Sequence, residues 1–182
     1  MNLPNQIETK RLKLRSFTLD DFEVFSNIIE DEEVSYNLKF VLNIKPDYNK
    51  TALFRIIIDS LNSDHPLLAL IISSKLEEQI IGSCGLKTLE KYQEAEIFYT
   101  LLQRYRGNGY AIEAMKKLIQ FAFKGLNLKR LIIFLYPINS KAWKVAERIG
   151  MKYLGQKEIS TISSKAMYFS IEKTEFNAQS YY

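Results

Sequence analysis

The feature that most restricts this chain is a change of hydrophobic period between residues 97 and 124. Ile97, Phe98, Tyr99, Leu101 and Leu102 form a β-prone run that predicts a strand ending near Leu102. Beyond it, Ala111, Ala114, Met115, Leu118, Ile119 and Ala122 recur every three or four residues and Gly125 offers a left-handed stop, so residues 110 to 124 predict an amphipathic helix. Between the two lies Arg104-Tyr105-Arg106-Gly107-Asn108-Gly109. Its glycines reach backbone angles closed to other residues, and the first amides of the following helix point outward with partial positive charge. Strand, glycine turn and helix start in that order suit a pyrophosphate cradle; the plainer alternative is a glycine loop with two solvated arginines.

Two familiar phosphate loops do not fit these residues. A P-loop needs a Lys-Ser/Thr pair after its second glycine, and none follows Gly109. The dinucleotide fingerprint needs Gly or Ala where Ile112 stands, and an acid where Lys129 and Arg130 stand. Leu131 to Tyr136 predicts a further strand, closed by Pro137, and Asn139 opens a second helix that ends near Gly150.

Upstream, Leu12 and Leu14 predict a first strand leading through Ser16 and Phe17 to a helix capped by Thr18, with Val24, Phe25, Ile28 and Ile29 as its buried face. A second helix is expected from about Asp47, after Pro46, with Ala52, Leu53, Ile56, Ile57 and Leu61 in helical register. Leu67 to Ser73 and Gln79 to Leu86 predict a hairpin, Glu94 to Leu102 continues an antiparallel sheet, and Met151 to Leu154 and Ala166 to Ile171 predict the last strands.

Taken together, Arg104-x-x-Gly107-x-Gly109, Tyr110-Ala111-x-Glu113-Ala114, and Asn139 ahead of Glu147-Arg148-Ile149-Gly150-Met151 resemble the GNAT superfamily of N-acetyltransferases. Thr9-Lys10-Arg11-Leu12-Lys13-Leu14-Arg15, followed by Asp20-Asp21-Phe22, resembles the opening of its RimJ/RimL-type branch. The resemblance runs through nearly the whole chain. It implies an α/β (α+β) fold, a mixed and mostly antiparallel central sheet of about seven strands flanked by helices on both faces. A single domain over 1–173 with a tail over 174–182 is expected, as the 182 residues, 47% of them hydrophobic, suffice for one sizeable core.

The same resemblance implies acetyl-CoA as acyl donor, wedged between strands splaying near Leu102 and Tyr136. The residues it assigns to the cofactor are Leu101, Leu102, Arg104, Arg106, Gly107, Asn108, Gly109, Tyr110, Ala111, Asn139 and Ala142. Asn139 can equally cap its helix, and Trp143 can pack or line the groove. The acceptor is a primary amine, expected to be a protein N-terminal α-amine of ribosomal type or a small-molecule amine. Its ammonium form must lose a proton before it can attack, and Glu96 is the candidate base, with Glu94 as fallback. A surface carboxylate paired with a lysine is the other reading of Glu96. A backbone amide near Leu101 or Leu102 would meet the acyl oxygen.

The chain departs from the family pattern where Ala142 and Ala146 replace the serine or tyrosine that can donate a proton to the leaving thiolate. Ser140, Tyr136 and Tyr168 remain as hydroxyls, and the alternative function is a CoA-binding sensor without turnover. Cys84 and His65 are the only cysteine and histidine, so no metal is expected, and Cys84, within an apolar run, is expected to be a buried structural thiol. The scattered surplus of 25 Lys+Arg over 21 Asp+Glu is either a solvated face or a steering field for an anion, with no nucleic-acid motif. No run is long enough to cross a bilayer and the first ten residues lack a signal's apolar core, so a cytoplasmic location is expected; a monomer and a homodimer are both compatible with the sequence.

Overall fold

A computed structural model describes residues 6–31, 34, 49–60, 67–89, 93–159 and 164–176. Eight strands form one sheet: β1 (Gln6–Glu8), β2 (Leu12–Ser16), β3 (Leu67–Ser74), β4 (Ile80–Thr88), β5 (Glu94–Leu101), β6 (Arg130–Leu135), β7 (Lys152–Ile159) and β8 (Ser164–Glu172). The order across the sheet is β1-β2-β3-β4-β5-β6-β8-β7. Every neighbouring pair is antiparallel except β5 with β6. The expected fold is therefore present with one strand more than the sequence led us to count. The extra strand is β1, a polar Gln-Ile-Glu in which only Ile7 is buried, too short to show an alternating pattern.

Among the described residues, four α-helices connect the strands: α1 (Phe22–Glu30), α2 (Lys50–Asp59), α3 (Tyr110–Lys124) and α4 (Ser140–Arg148). Two apolar cores result, one on each face of the sheet. The larger one joins Ala114, Met115, Leu118, Ile119 and Ala122 of α3 and Ala142 and Ala146 of α4 to Leu12, Leu14, Ile97 and Ile133. The smaller joins Phe25, Ile28 and Ile29 of α1 and Leu53, Phe54 and Ile57 of α2 to Leu67, Ala69 and Phe98. Side chains along a strand alternate between faces, so β5 sends Ala95, Ile97 and Leu101 to one core and Phe98 to the other.

Local capping differs from expectation in two places. Thr18 precedes a 3₁₀ turn, Leu19–Asp21, rather than the helix itself. The buried Asp21 carboxylate gathers the Thr18 N–H (2.8 Å), the Thr18 hydroxyl (2.9 Å) and both Arg15 terminal nitrogens (2.7 and 2.8 Å). The Arg15 hydrogen bonds outweigh its burial and hold the Asp21 pKa down at about 2. At α2 the cap is Asn49, whose side-chain oxygen accepts from Thr51 N–H and Ala52 N–H. Ile56 is exposed there and Phe54 takes the buried place, while Asp47, Pro46 and Leu61 lie outside the described residues. Val24 is only half-buried. Phe176, expected to fray, packs on Phe123 with ring centroids 5.4 Å apart. No helix among the described residues is long and apolar enough to cross a membrane.

Candidate active site

The parallel pair β5 and β6 matches residue for residue only over Glu94–Glu96 and Arg130–Ile132. Beyond Glu96 a cleft of about 290 Å³ opens between them, walled by β5, β6, the glycine turn and α4. The backbone explains what the cleft presents. Leu89 N–H donates to Glu94 O and Leu102 N–H to Ile81 O, so the even-numbered residues of β5 turn their backbone groups to β4. The odd-numbered ones, Leu101 among them, face the gap.

The glycine turn is shaped for close approach. Gly107 and Gly109 sit at φ values of +84° and +77°, a region L-residues rarely adopt, and a Cβ at Gly107 would meet nothing within 4 Å. Gly109 is also the N-cap of α3, so no capping side chain occupies the first helical amides. The N–H of Glu113 already bonds Gly109 O, which leaves the amides of Tyr110, Ala111 and Ile112 at the open end. An anion there meets both N–H donors and the positive pole of a four-turn helix.

The turn is braced from outside the cleft. Glu113 accepts from Thr9 Oγ1 (2.6 Å), Arg11 N (2.8 Å) and Arg11 Nε (2.6 Å), while Arg11 Nη1 donates to Asn108 O (3.0 Å). The Arg11 guanidinium also lies over the Tyr110 ring at 4.5 Å. This network lowers the Glu113 pKa despite the opposing effect of burial. Inside, Arg106 Nε donates to Leu101 O (2.8 Å) and Arg106 Nη2 reaches Asp31 (3.2 Å) at the end of α1.

Of the residues singled out from the sequence, Leu101, Arg106, Gly107, Gly109, Tyr110, Ala111, Asn139 and Ala142 line the cleft together. Leu102, Arg104, Asn108 and the candidate base Glu96 do not; Glu96 sits just before the residues of β5 that form the wall. The amide of Leu102 is taken by Ile81, leaving Leu101 as the N–H that faces the gap. Arg104 leans away, donating to Gln79 Oε1 (3.2 Å) and stacking on Tyr105 at 4.8 Å. Asn108 spends its side-chain amide on the carbonyls of Tyr105 and Arg106. Asn139 Oδ1 accepts from Ala142 N–H (3.0 Å), so its cap role consumes the oxygen and its nitrogen remains to donate.

Among the hydroxyl-bearing residues, Tyr99, Thr100, Tyr110 and Tyr136 line the cleft. Ser140 does not, and the Tyr168 hydroxyl receives a hydrogen bond from Arg130 at 2.8 Å. Ala146 is core, and Trp143 packs half-buried against the larger core with its ring nitrogen lacking a partner among the described residues. Sequence reasoning passed over Lys141, Lys144, Val145 and Arg148, all of which line the cleft. Their helical spacing after Asn139 was the available signal.

Glu96 stands at the last paired position before the gap, on the same sheet face as Phe98 and Thr100 and opposite α3. It is not on the surface: its side chain is buried, and burial raises its pKa from 4.5 to about 7 against a lowering by Lys87. A carboxyl held there is neutral or charged near physiological pH and can exchange a proton. Glu94 instead pairs with Arg130 at 3.8 Å. Cys84 is fully buried, and burial pushes its thiol up to about 12, the structural role expected of it. His65 lies outside the described residues. No metal-holding cluster of His, Cys, Asp and Glu occurs among those described.

Comparison with known proteins identifies this arrangement. Residues 11–152 match the family model of the acetyltransferase (GNAT) domain. The chain is 31% identical over 150 residues to p20 of Bacillus licheniformis, an uncharacterised N-acetyltransferase, covering 81% of this chain and 82% of that one. Its fold is similar to the ribosomal-protein-S5-alanine acetyltransferase of Vibrio fischeri (TM-score 0.74, 18% identity, 94% and 98% of the two chains). It is equally similar to the spermidine N-acetyltransferase of Vibrio cholerae solved with CoA and spermine (TM-score 0.75, 17% identity, 92% and 98%). With a family model spanning most of its length and a cleft between parting strands beneath an uncapped helix start, the chain belongs to the GNAT acetyltransferase family.

Proposed function

We propose that the protein transfers the acetyl group of acetyl-CoA to a primary amine, a protein N-terminal α-amine being the first class to test and small amines the second. The observation that carries this reading is the single cleft joining the uncapped start of α3 to the gap after Glu96. Acetyl-CoA brings the acyl thioester when bound. The amides of Tyr110, Ala111 and Ile112 hold its diphosphate, and Asn139 Nδ2 and the backbone edge of β5 align its pantetheine arm as an added strand would. The Leu101 N–H is the donor for the acyl oxygen. Glu96 accepts the proton of the incoming ammonium at its carboxylate, directly or through water. A thiol with a pKa of about 8.5 leaves readily, so Ala142 and Ala146 do not forbid turnover.

Purified protein incubated with acetyl-CoA and a panel of N-terminal peptides, polyamines and amino acids should release free thiol only when an acceptor is present. Saturable CoA binding with no thiol release on any acceptor would replace the enzyme with a CoA sensor.

A further inference from the structure

The α4 wall of the cleft carries charge that acetyl transfer does not call on. Lys141, Lys144 and Arg148 fall at i, i+3 and i+7 on one helix face, and all three line the cleft that also receives Gly107 and Gly109. Each is exposed, and none forms an ion pair or side-chain hydrogen bond among the described residues. The neighbouring arginines are all engaged: Arg11 with Glu113, Arg104 with Gln79, Arg106 with Leu101 O and Asp31. Glu147, the only acid on α4, is absent from the cleft wall. Three like charges on neighbouring turns repel one another unless an anion lies between them.

Acetyl-CoA carries two separate anionic groups. One is the diphosphate, for which the start of α3 is built. The other is a phosphate monoester on the ribose 3′ oxygen, which bears close to two charges at neutral pH, as other monoesters do. The amides of one helix start cannot serve both. We propose that Lys141, Lys144 and Arg148 form the subsite for that ribose 3′-phosphate, across the cleft from the diphosphate cradle. Seven residues of helix span about 10 Å, and the flexible stems of lysine and arginine let the three cationic heads converge on one phosphate. The subsite makes the protein discriminate between CoA and its 3′-dephospho form. This rests on acetyl-CoA occupying the cleft.

Calorimetric titration with CoA and with 3′-dephospho-CoA tests it directly. Wild type should prefer CoA by roughly tenfold or more, the effect of a charge-assisted phosphate contact, and the preference should shrink as salt rises. The triple variant Lys141→Gln/Lys144→Gln/Arg148→Gln should bind dephospho-CoA as wild type does and lose the preference. Should it fail to fold, the three single variants carry the test, each giving up part of the preference. Equal binding of both ligands by wild type, or an undiminished preference in the variants, overturns the subsite and leaves the cleft assignment standing. Saturable binding of neither ligand by wild type removes both.

Discussion

Glu96 is the residue whose environment departs furthest from what its position in the chain announces. The family resemblance, which implies a carboxylate near the start of β5, made it a candidate, yet its neighbours in sequence say nothing of its burial. The sign of its effect on stability follows from the shift. With an unfolded pKa near 4.5 and a folded one of about 7, the native state holds an extra proton between those values. Its contribution is therefore fully present below about pH 4.5 and lost as pH rises through 7, a span of order 3 kcal/mol. Denaturant midpoints measured from pH 4 to 8 should fall more steeply for wild type than for Glu96→Gln. Activity runs the other way, because the base works as the carboxylate: kcat/KM should climb with pH to a plateau with an apparent pKa near 7. Glu96→Gln should lower kcat by about 10²- to 10⁴-fold with CoA affinity unchanged. Full activity in that variant takes the proton-accepting role away from Glu96.

Among the elements, α3 shows how sequence motifs far apart become one device. The helix was legible from periodicity, its stop falling at Gly125 as expected but in right-handed geometry (φ −85°) and not the left-handed one. Its glycine turn and the separate Thr9-Lys10-Arg11 segment were legible from their residues. That the two touch was not, for Thr9 and Glu113 are 104 residues apart and meet only because β2 enters the sheet beside β3. Arg11 then holds both Glu113 and the Asn108 carbonyl, fixing the turn from behind. Arg11→Ala should raise KM for acetyl-CoA several-fold and leave kcat nearly unchanged, since the brace acts on the cradle and not on the acyl group. An equal fall in kcat with KM untouched would place Arg11 elsewhere in the mechanism. The Cβ of Gly107→Val meets no atom within 4 Å, so the cost at that atom is backbone strain of about 1–2 kcal/mol, drawn from the turn itself. Calorimetry should find CoA affinity reduced with the overall melt little altered; the opposite pattern would contradict the cradle.

At the level of the whole molecule, the sheet separates two cores, and β4 carries a glycine with no room for a side chain. A Cβ on Gly85 would stand 2.2 Å from Leu68 O and 2.3 Å from the Phe98 ring, so Gly85→Ala must displace backbone or the anchor of the smaller core. Thermal unfolding should show a loss of order 3 kcal/mol; an unchanged melting temperature would mean that this contact is soft. Most of the architecture was readable in advance because periods of 2 and 3.6 report which face of each element is buried, and the run of strands and helices left few topologies to choose among. The sequence by itself determined the elements, the glycine turn, the family and the absence of a hydroxyl at positions 142 and 146. It could not report β1, whose three residues carry no period, nor which arginines near the turn face the cleft. Only the tertiary structure decided that Arg104 turns away while Lys141, Lys144 and Arg148 turn in, that Leu101 and not Leu102 offers its amide, and that Glu96 is buried. Each of these depends on groups distant in the chain, and hydrogen-bond parity, ion pairing and desolvation exist only once the strands have been brought side by side.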